Sequence, residues 1–201
     1  MKTKSLLALS LITLFSLPSL GQEGVKGTKR FRPVLKGALY IGGGDQLKQR
    51  DNRNPLLNET LDRLCDAGFS ESIFLYTKTA DRMRRNTNCR SGNLNYDPIS
   101  WTKIDTIMER IHSNIMTKEG PMYVHCYNGA HAANGIGAMA KIQFCGMSNN
   151  DALKLWLKQT DDHGRKEYAN GGFNSVTKRI KNYKVRSSLK LPSSLKSQLC
   201  D

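Results

Sequence analysis

Acidic residues are scarce in this chain: 17 Asp and Glu stand against 31 Lys and Arg, which gives the 201-residue sequence a formal charge of +14. Such a field gathers anions, but it does not choose among phosphate esters, anionic glycans, lipid headgroups and nucleic acid. Zinc-finger spacing, an RNA-binding aromatic signature and heptads beside a basic region are all missing, which points away from nucleic acid as a partner. No apolar run reaches the roughly 18 residues needed to cross a bilayer, and no period repeats along the chain.

The longest apolar stretch, Leu6 to Phe15, is short and follows Lys2 and Lys4; Pro18 breaks it, and Ser19 and Gly21 are small residues at cleavage spacing. Residues 1–21 therefore read as a secretory signal peptide cut near Gly21/Gln22, and the mature chain is expected to be secreted or periplasmic, with no membrane span. No Cys follows Gly21, so a lipid anchor at that point is not expected. Losing Lys2 and Lys4 lowers the charge from +14 to +12 (14 − 2).

Five cysteines, Cys65, Cys89, Cys126, Cys145 and Cys200, enter that oxidising setting. The odd count leaves at least one thiol free or intermolecular. Cys126 is the candidate for a functional thiol. The other four are expected to be reduced or structural, with their pairing open.

Residues 22–34 are polar and basic and are expected to form an unstructured leader. A domain over residues 35–184 follows, and then a Lys/Ser-rich tail, 185–201, expected to be partly disordered. Leu35 to Ile41 reads as a strand running into Gly42-Gly43-Gly44. The spacing of Leu57, Leu61 and Leu64 predicts a helix over 55–67, and Ser72 to Tyr76 is a short buried strand. Thr77 to Asp97, with Arg82, Arg84, Arg85 and Arg90, reads as a long loop. Helices are predicted over 100–116, 133–144, 148–158 and 174–183, and a strand over 122–125. Strands alternating with helices imply a single α/β domain with a mainly parallel central sheet flanked by helices.

The stretch Val124-His-Cys-Tyr-Asn-Gly-Ala-His-Ala-Ala-Asn-Gly135 places a cysteine at the end of a buried strand and just before a helix. Backbone N–H groups converge there and the helix dipole is positive, which gathers an anion and favours a thiolate. A thiolate so placed can attack phosphorus while amides hold the equatorial oxygens.

The pattern His125-Cys126-x-x-Gly129-x-x-Ala132 resembles the His-Cys-x-x-Gly-x-x-Arg signature of protein tyrosine and dual-specificity phosphatases. The segments Gly37 to Gly44, the helix ending at Ala67-Gly68 and Ser72 to Leu75 are similar, in order, to elements of compact members of that superfamily. The resemblance implies hydrolysis of phosphate monoesters, on a phosphoprotein or a small phosphate ester, without metal or cofactor. It implies a nucleophile at Cys126, a loop-ordering residue at His125, a phosphate-binding loop of Tyr127, Asn128, Gly129, Ala130, His131 and Ala132, and a general acid at Asp97, 29 residues upstream.

The departure is Ala132, where the superfamily has an arginine that clasps two phosphate oxygens; Ala133 also replaces a hydroxyl residue. Losing a contact of that kind costs on the order of 3 kcal/mol, or ~10² in rate. Candidate substitute cations are His131, Arg165 with Lys166, and Arg85 with its neighbours. Two further readings stand beside the enzyme: a pseudophosphatase that binds a phosphorylated or sulfated ligand or partner, and rhodanese-like sulfur transfer.

Overall fold

The computed structural model describes residues 24–44, 54–78, 80, 83–160 and 172–200. The expected signal peptide therefore lies outside the described residues, as do Arg82, Arg165 and Lys166. Among the described residues six strands form one sheet: β1 (Lys29–Leu35), β2 (Leu39–Gly43), β3 (Glu71–Phe74), β4 (Asn86–Cys89), β5 (Gly92–Pro98) and β6 (Met122–Cys126). Their order is β1-β2-β6-β3-β5-β4. The inner pairs β2/β6, β6/β3 and β3/β5 are parallel, whereas β1/β2 and β5/β4 are antiparallel hairpins. The expected α/β domain with a mainly parallel sheet is the one observed.

Among the described residues the α-helices are α1 (Asn58–Asp66), α2 (Ile104–Thr117), α3 (Ala132–Ala140, continued by a π turn over Lys141–Cys145), α4 (Asn149–Gln159), α5 (Gly172–Lys181) and α6 (Ser193–Cys200). Among the described residues no helix is long and apolar enough to cross a membrane. The middle strands are buried on both faces, so β6 shows no alternation of apolar and polar positions. On one face Ile73 and Val124 pack with Ile107, Ile111, Ile136, Trp156 and Ile180. On the other, Phe74 and Tyr123 pack with Leu61, Leu64, Phe69 and Tyr96. The core thus fixes β6 from both sides and delivers Cys126 to the carboxyl edge of the sheet, where ligands of open parallel sheets bind.

Four expectations are corrected. The leader is not unstructured: Lys29–Leu35 is an edge strand, because Phe31 stacks on Tyr40 and Tyr123 with ring centroids 5.1 and 5.4 Å apart. Pro33 is tolerated there because an edge strand has an unpaired side. The predicted strand over 35–41 is two strands joined by a tight turn in which Gly37 has φ +70. The long loop 77–97 contains the β4/β5 hairpin, whose turn signal is Ser91-Gly92 and whose inward residues are Thr87, Leu94 and Tyr96.

The tail is also ordered. Leu189 and Leu199 are buried, and the Leu199 carbonyl accepts from the Lys36 amide at 2.9 Å. Cysteines explain much of this. Cys145 is bonded to Cys200 and Cys65 to Cys89, so Cys126 is the free thiol. The Cys145–Cys200 bridge spans 55 residues, a closure that stabilises a fold by about 4 kcal/mol in the chain-entropy account. Replacing both cysteines by serine is expected to lower the urea-unfolding free energy by about 2–4 kcal/mol; a change under ~1 kcal/mol would mean that packing alone holds the tail.

Candidate functional site

Residues 127–131 connect β6 to α3, and each carbonyl from Cys126 to His131 accepts a hydrogen bond from a donor outside the loop. The Cys126 and Tyr127 oxygens both accept from the Gly44 amide, at 2.8 and 3.0 Å. The Asn128 oxygen accepts from Arg30 at 3.0 Å and the Gly129 oxygen from Arg32 at 2.8 Å. The Ala130 oxygen takes the Thr160 hydroxyl at 2.9 Å, and the His131 oxygen takes the Trp156 indole N–H at 3.2 Å. A peptide plane whose C=O is anchored outward turns its N–H inward. The Gly129 N–H accordingly points at Cys126 Sγ, 3.2 Å away. One loop amide thus faces the sulfur directly, with the carbonyls on either side held by donors from other elements; successive amides arranged this way are the kind of nest that binds oxyanions.

Glycine makes this geometry possible. Gly129 has φ +69, and a Cβ there would collide with the backbone of Gly42 and Gly43. At Gly43 a Cβ would meet the Asn128 carbonyl carbon at 2.7 Å. The Gly42-Gly43-Gly44 run thus lets β2 lie directly against the loop, to which it is bridged at Gly43 and Asn128. The helix after the loop needs small residues as well. Ala132 and Ala133 are buried, and a Cβ on Gly135 or Gly137 would press on Val176 or Ile41.

His125 is fully buried, stacked on Phe74 at 5.0 Å and Tyr123 at 5.6 Å. Its Nε2 lies 2.7 Å from the Tyr96 hydroxyl, which itself accepts from the Leu56 amide at 2.9 Å. The phenolic proton is therefore given to Nε2, and the ring proton on Nδ1 faces the Cys126 carbonyl at 3.4 Å. That tautomer is assigned from the network. Burial lowers the His125 pKa to about 3, so the ring is neutral, and burial also raises those of Tyr96 and Tyr123. His125 orders the loop, and it does so as an uncharged group.

Asp97 is not brought to the loop. It pairs with Ile73, which in turn pairs with Val124. That places it two strands from β6, about 10 Å across the sheet. Its carboxylate meets Arg110 at 3.2 Å and Arg85 at 3.5 Å. Arg110 also pairs with Glu71, whose pKa burial raises and Arg110 lowers. Arg85 is thus occupied at the sheet edge and not at the thiol. His131 sits at the start of α3 with its ring 6.0 Å from Trp156. Among the described residues, no three His, Cys, Asp or Glu side chains gather as a metal site.

The sequence did not reveal Arg30 and Arg32, hidden in a segment read as leader, nor Trp156, read as an ordinary helix position, nor Thr160, which lies just beyond the helix expected over 148–158. No motif marks them; only Phe31 between two arginines hinted at a strand.

No family model matches the chain, and no curated protein does. The fold is similar to several solved phosphatase-like structures. The human tyrosine phosphatase-like serine/threonine/tyrosine-interacting protein is 15% identical with a TM-score of 0.49, over 75% of this chain and 95% of that one. TpbA of P. aeruginosa is 11% identical with a TM-score of 0.47, over 86% and 95%. PTPMT1, in a complex with PI(5)P, is 16% identical with a TM-score of 0.46, over 75% and 99%.

The neutral His125 has a consequence for stability. In the unfolded chain a His titrates near 6.5, whereas here protonation waits until about pH 3. Between those values the unfolded state holds one more proton, so stability falls as pH drops from 6.5 towards 3. His125→Gln is expected to remove close to one proton from the pH dependence of the unfolding free energy in that window. An unchanged slope would show that the ring is charged or open to solvent.

Proposed function

We propose that the protein binds phosphate monoesters in the 126–132 loop and cleaves them slowly through Cys126. The observation that carries this reading is the inward Gly129 N–H on a free, buried sulfur, with the surrounding carbonyls anchored outward. In the reaction, Cys126 sulfur bonds to phosphorus as the bond to the ester oxygen breaks, and the leaving oxygen takes a proton; water then releases phosphate from sulfur. Asp97 can serve as the proton donor only after it leaves Arg85 and Arg110. Aryl phosphates, whose leaving oxygens need little protonation, are therefore the favoured substrates over alkyl ones. The two disulfides and the amino-terminal pattern support an exported location, secreted or periplasmic.

A second reading, a receptor for a phosphorylated or sulfated ligand, is favoured by two observations: the alanines at 132 and 133, and the ion pairs that occupy Asp97. Aryl phosphate turnover by wild type, Cys126→Ser and Ala132→Arg decides between them. The enzyme reading expects Cys126→Ser to abolish turnover and Ala132→Arg to raise it by about 10², with Asp97→Asn nearly silent on aryl substrates. A wild type that binds phosphate but shows turnover no greater than Cys126→Ser would leave the receptor.

A further inference from the structure

Arg30 and Arg32 reach the loop because β1 is distorted. The pairing jumps from Lys29 opposite Gly43 to Arg32 opposite Ile41, so Arg30 and Phe31 together face Gly42. Arg30 takes φ +50, a left-handed conformation that non-glycine residues avoid. Such bulges re-aim side chains, and strain of this kind concentrates at functional sites. Here the bulge sends Phe31 into the aromatic cluster and both guanidiniums to the loop, with the Lys29 amine 3.5 Å from the Asn128 side-chain oxygen.

The bonds themselves are informative. Arg30 holds the carbonyl of the peptide group whose other end is the Gly129 N–H, the donor to Cys126 Sγ. Arg32 holds the carbonyl of the next peptide group, whose N–H belongs to Ala130. A cation on a carbonyl pulls electron density through the amide and makes its N–H a stronger donor, because hydrogen bonds in a chain polarise one another. Charge-assisted bonds are also about twice as strong as neutral ones. From the other elements around the thiol, β6 contributes the neutral His125 and Tyr123, the loop Tyr127 and His131, and α3 (AANGIGAMA) no ionisable group.

We propose that Arg30 and Arg32 are positioning residues that supply, from outside the loop and through the 128–129 and 129–130 peptide groups, the positive charge absent at position 132. This rests on the phosphate-binding reading, but it adds where the charge comes from. It also accounts for a strained arginine in an edge strand that packing alone does not require.

The test compares Arg30→Gln/Arg32→Gln, which keeps N–H donors and removes charge, with Arg30→Lys/Arg32→Lys, which keeps charge. One readout is tungstate affinity by calorimetry. The other is the thiolate absorbance of Cys126, taken as a difference from Cys126→Ser. The Gln pair is expected to weaken tungstate binding about tenfold and to move the thiolate midpoint up by about one pH unit, while the Lys pair stays within about threefold of wild type. A folded Gln pair matching wild type in both readouts overturns the proposal.

If the Gln pair does not fold, Arg30→Gly takes its place, since glycine accepts the left-handed backbone. It is expected to keep or raise the unfolding temperature while weakening tungstate about threefold; unchanged affinity overturns the proposal. A wild type that binds no tungstate sinks the phosphate reading instead. The thiolate midpoint then still decides whether the two guanidiniums act on Cys126.

Discussion

The outward anchoring of the carbonyls from Cys126 to His131 is the constraint on which the site depends. Free peptide planes would rotate to suit water, and the amides would face the thiol only part of the time. Here every plane is held by a donor outside the loop, from three parts of the fold: Gly44 on the β2 side, Arg30 and Arg32 on β1, and Trp156 and Thr160 at the end of α4. The donors are preorganised, so facing an oxyanion costs no further ordering, which is the condition under which such groups stabilise transition states. The glycines at 43 and 129 are required by the same arrangement, since a Cβ at either would collide across the contact between β2 and the loop, whereas a Cβ at Gly42 would strike the Tyr123 hydroxyl and the Lys29 carbonyl.

The anchors also explain how the site stays organised without the inner arginine. In a loop built around a guanidinium, that side chain both orders the backbone and meets the charge. In this chain the two tasks are separated. Order comes from the outside bonds and from the Tyr96–His125 contact beneath the loop, and charge is left to cations that touch the backbone from behind. Asp97 belongs to a different unit, the Glu71–Arg110–Asp97–Arg85 cluster that joins α2 to the sheet edge. Its carboxylate serves there as an ion-pair partner of Arg85 and Arg110.

Much of this was legible in the sequence. Buried strands and helices with clear periods, such as Met122–Cys126 and Ile104–Thr117, stand where their apolar patterns put them. Cys126 was identified as the free thiol from the odd cysteine count and its surroundings, and the loop by its spacing. What escaped was non-local. Lys29–Leu35 looks like a basic leader until Phe31 finds Tyr40 and Tyr123. The tail looks disordered until Cys200 finds Cys145. Asp97 has the right distance along the chain from Cys126 but the wrong depth in the sheet, because register depends on the partners of β5 rather than on sequence spacing.

The central claim is that the amides of the 126–132 loop form an oxyanion cradle around Cys126. The most direct measurement is a tungstate titration of isotope-labelled protein followed by amide resonances. The account predicts saturable shifts concentrated at residues 127–132, with the Gly129 amide among the largest. Shifts spread over the basic surface, or a Gly129 amide that does not respond, would contradict it.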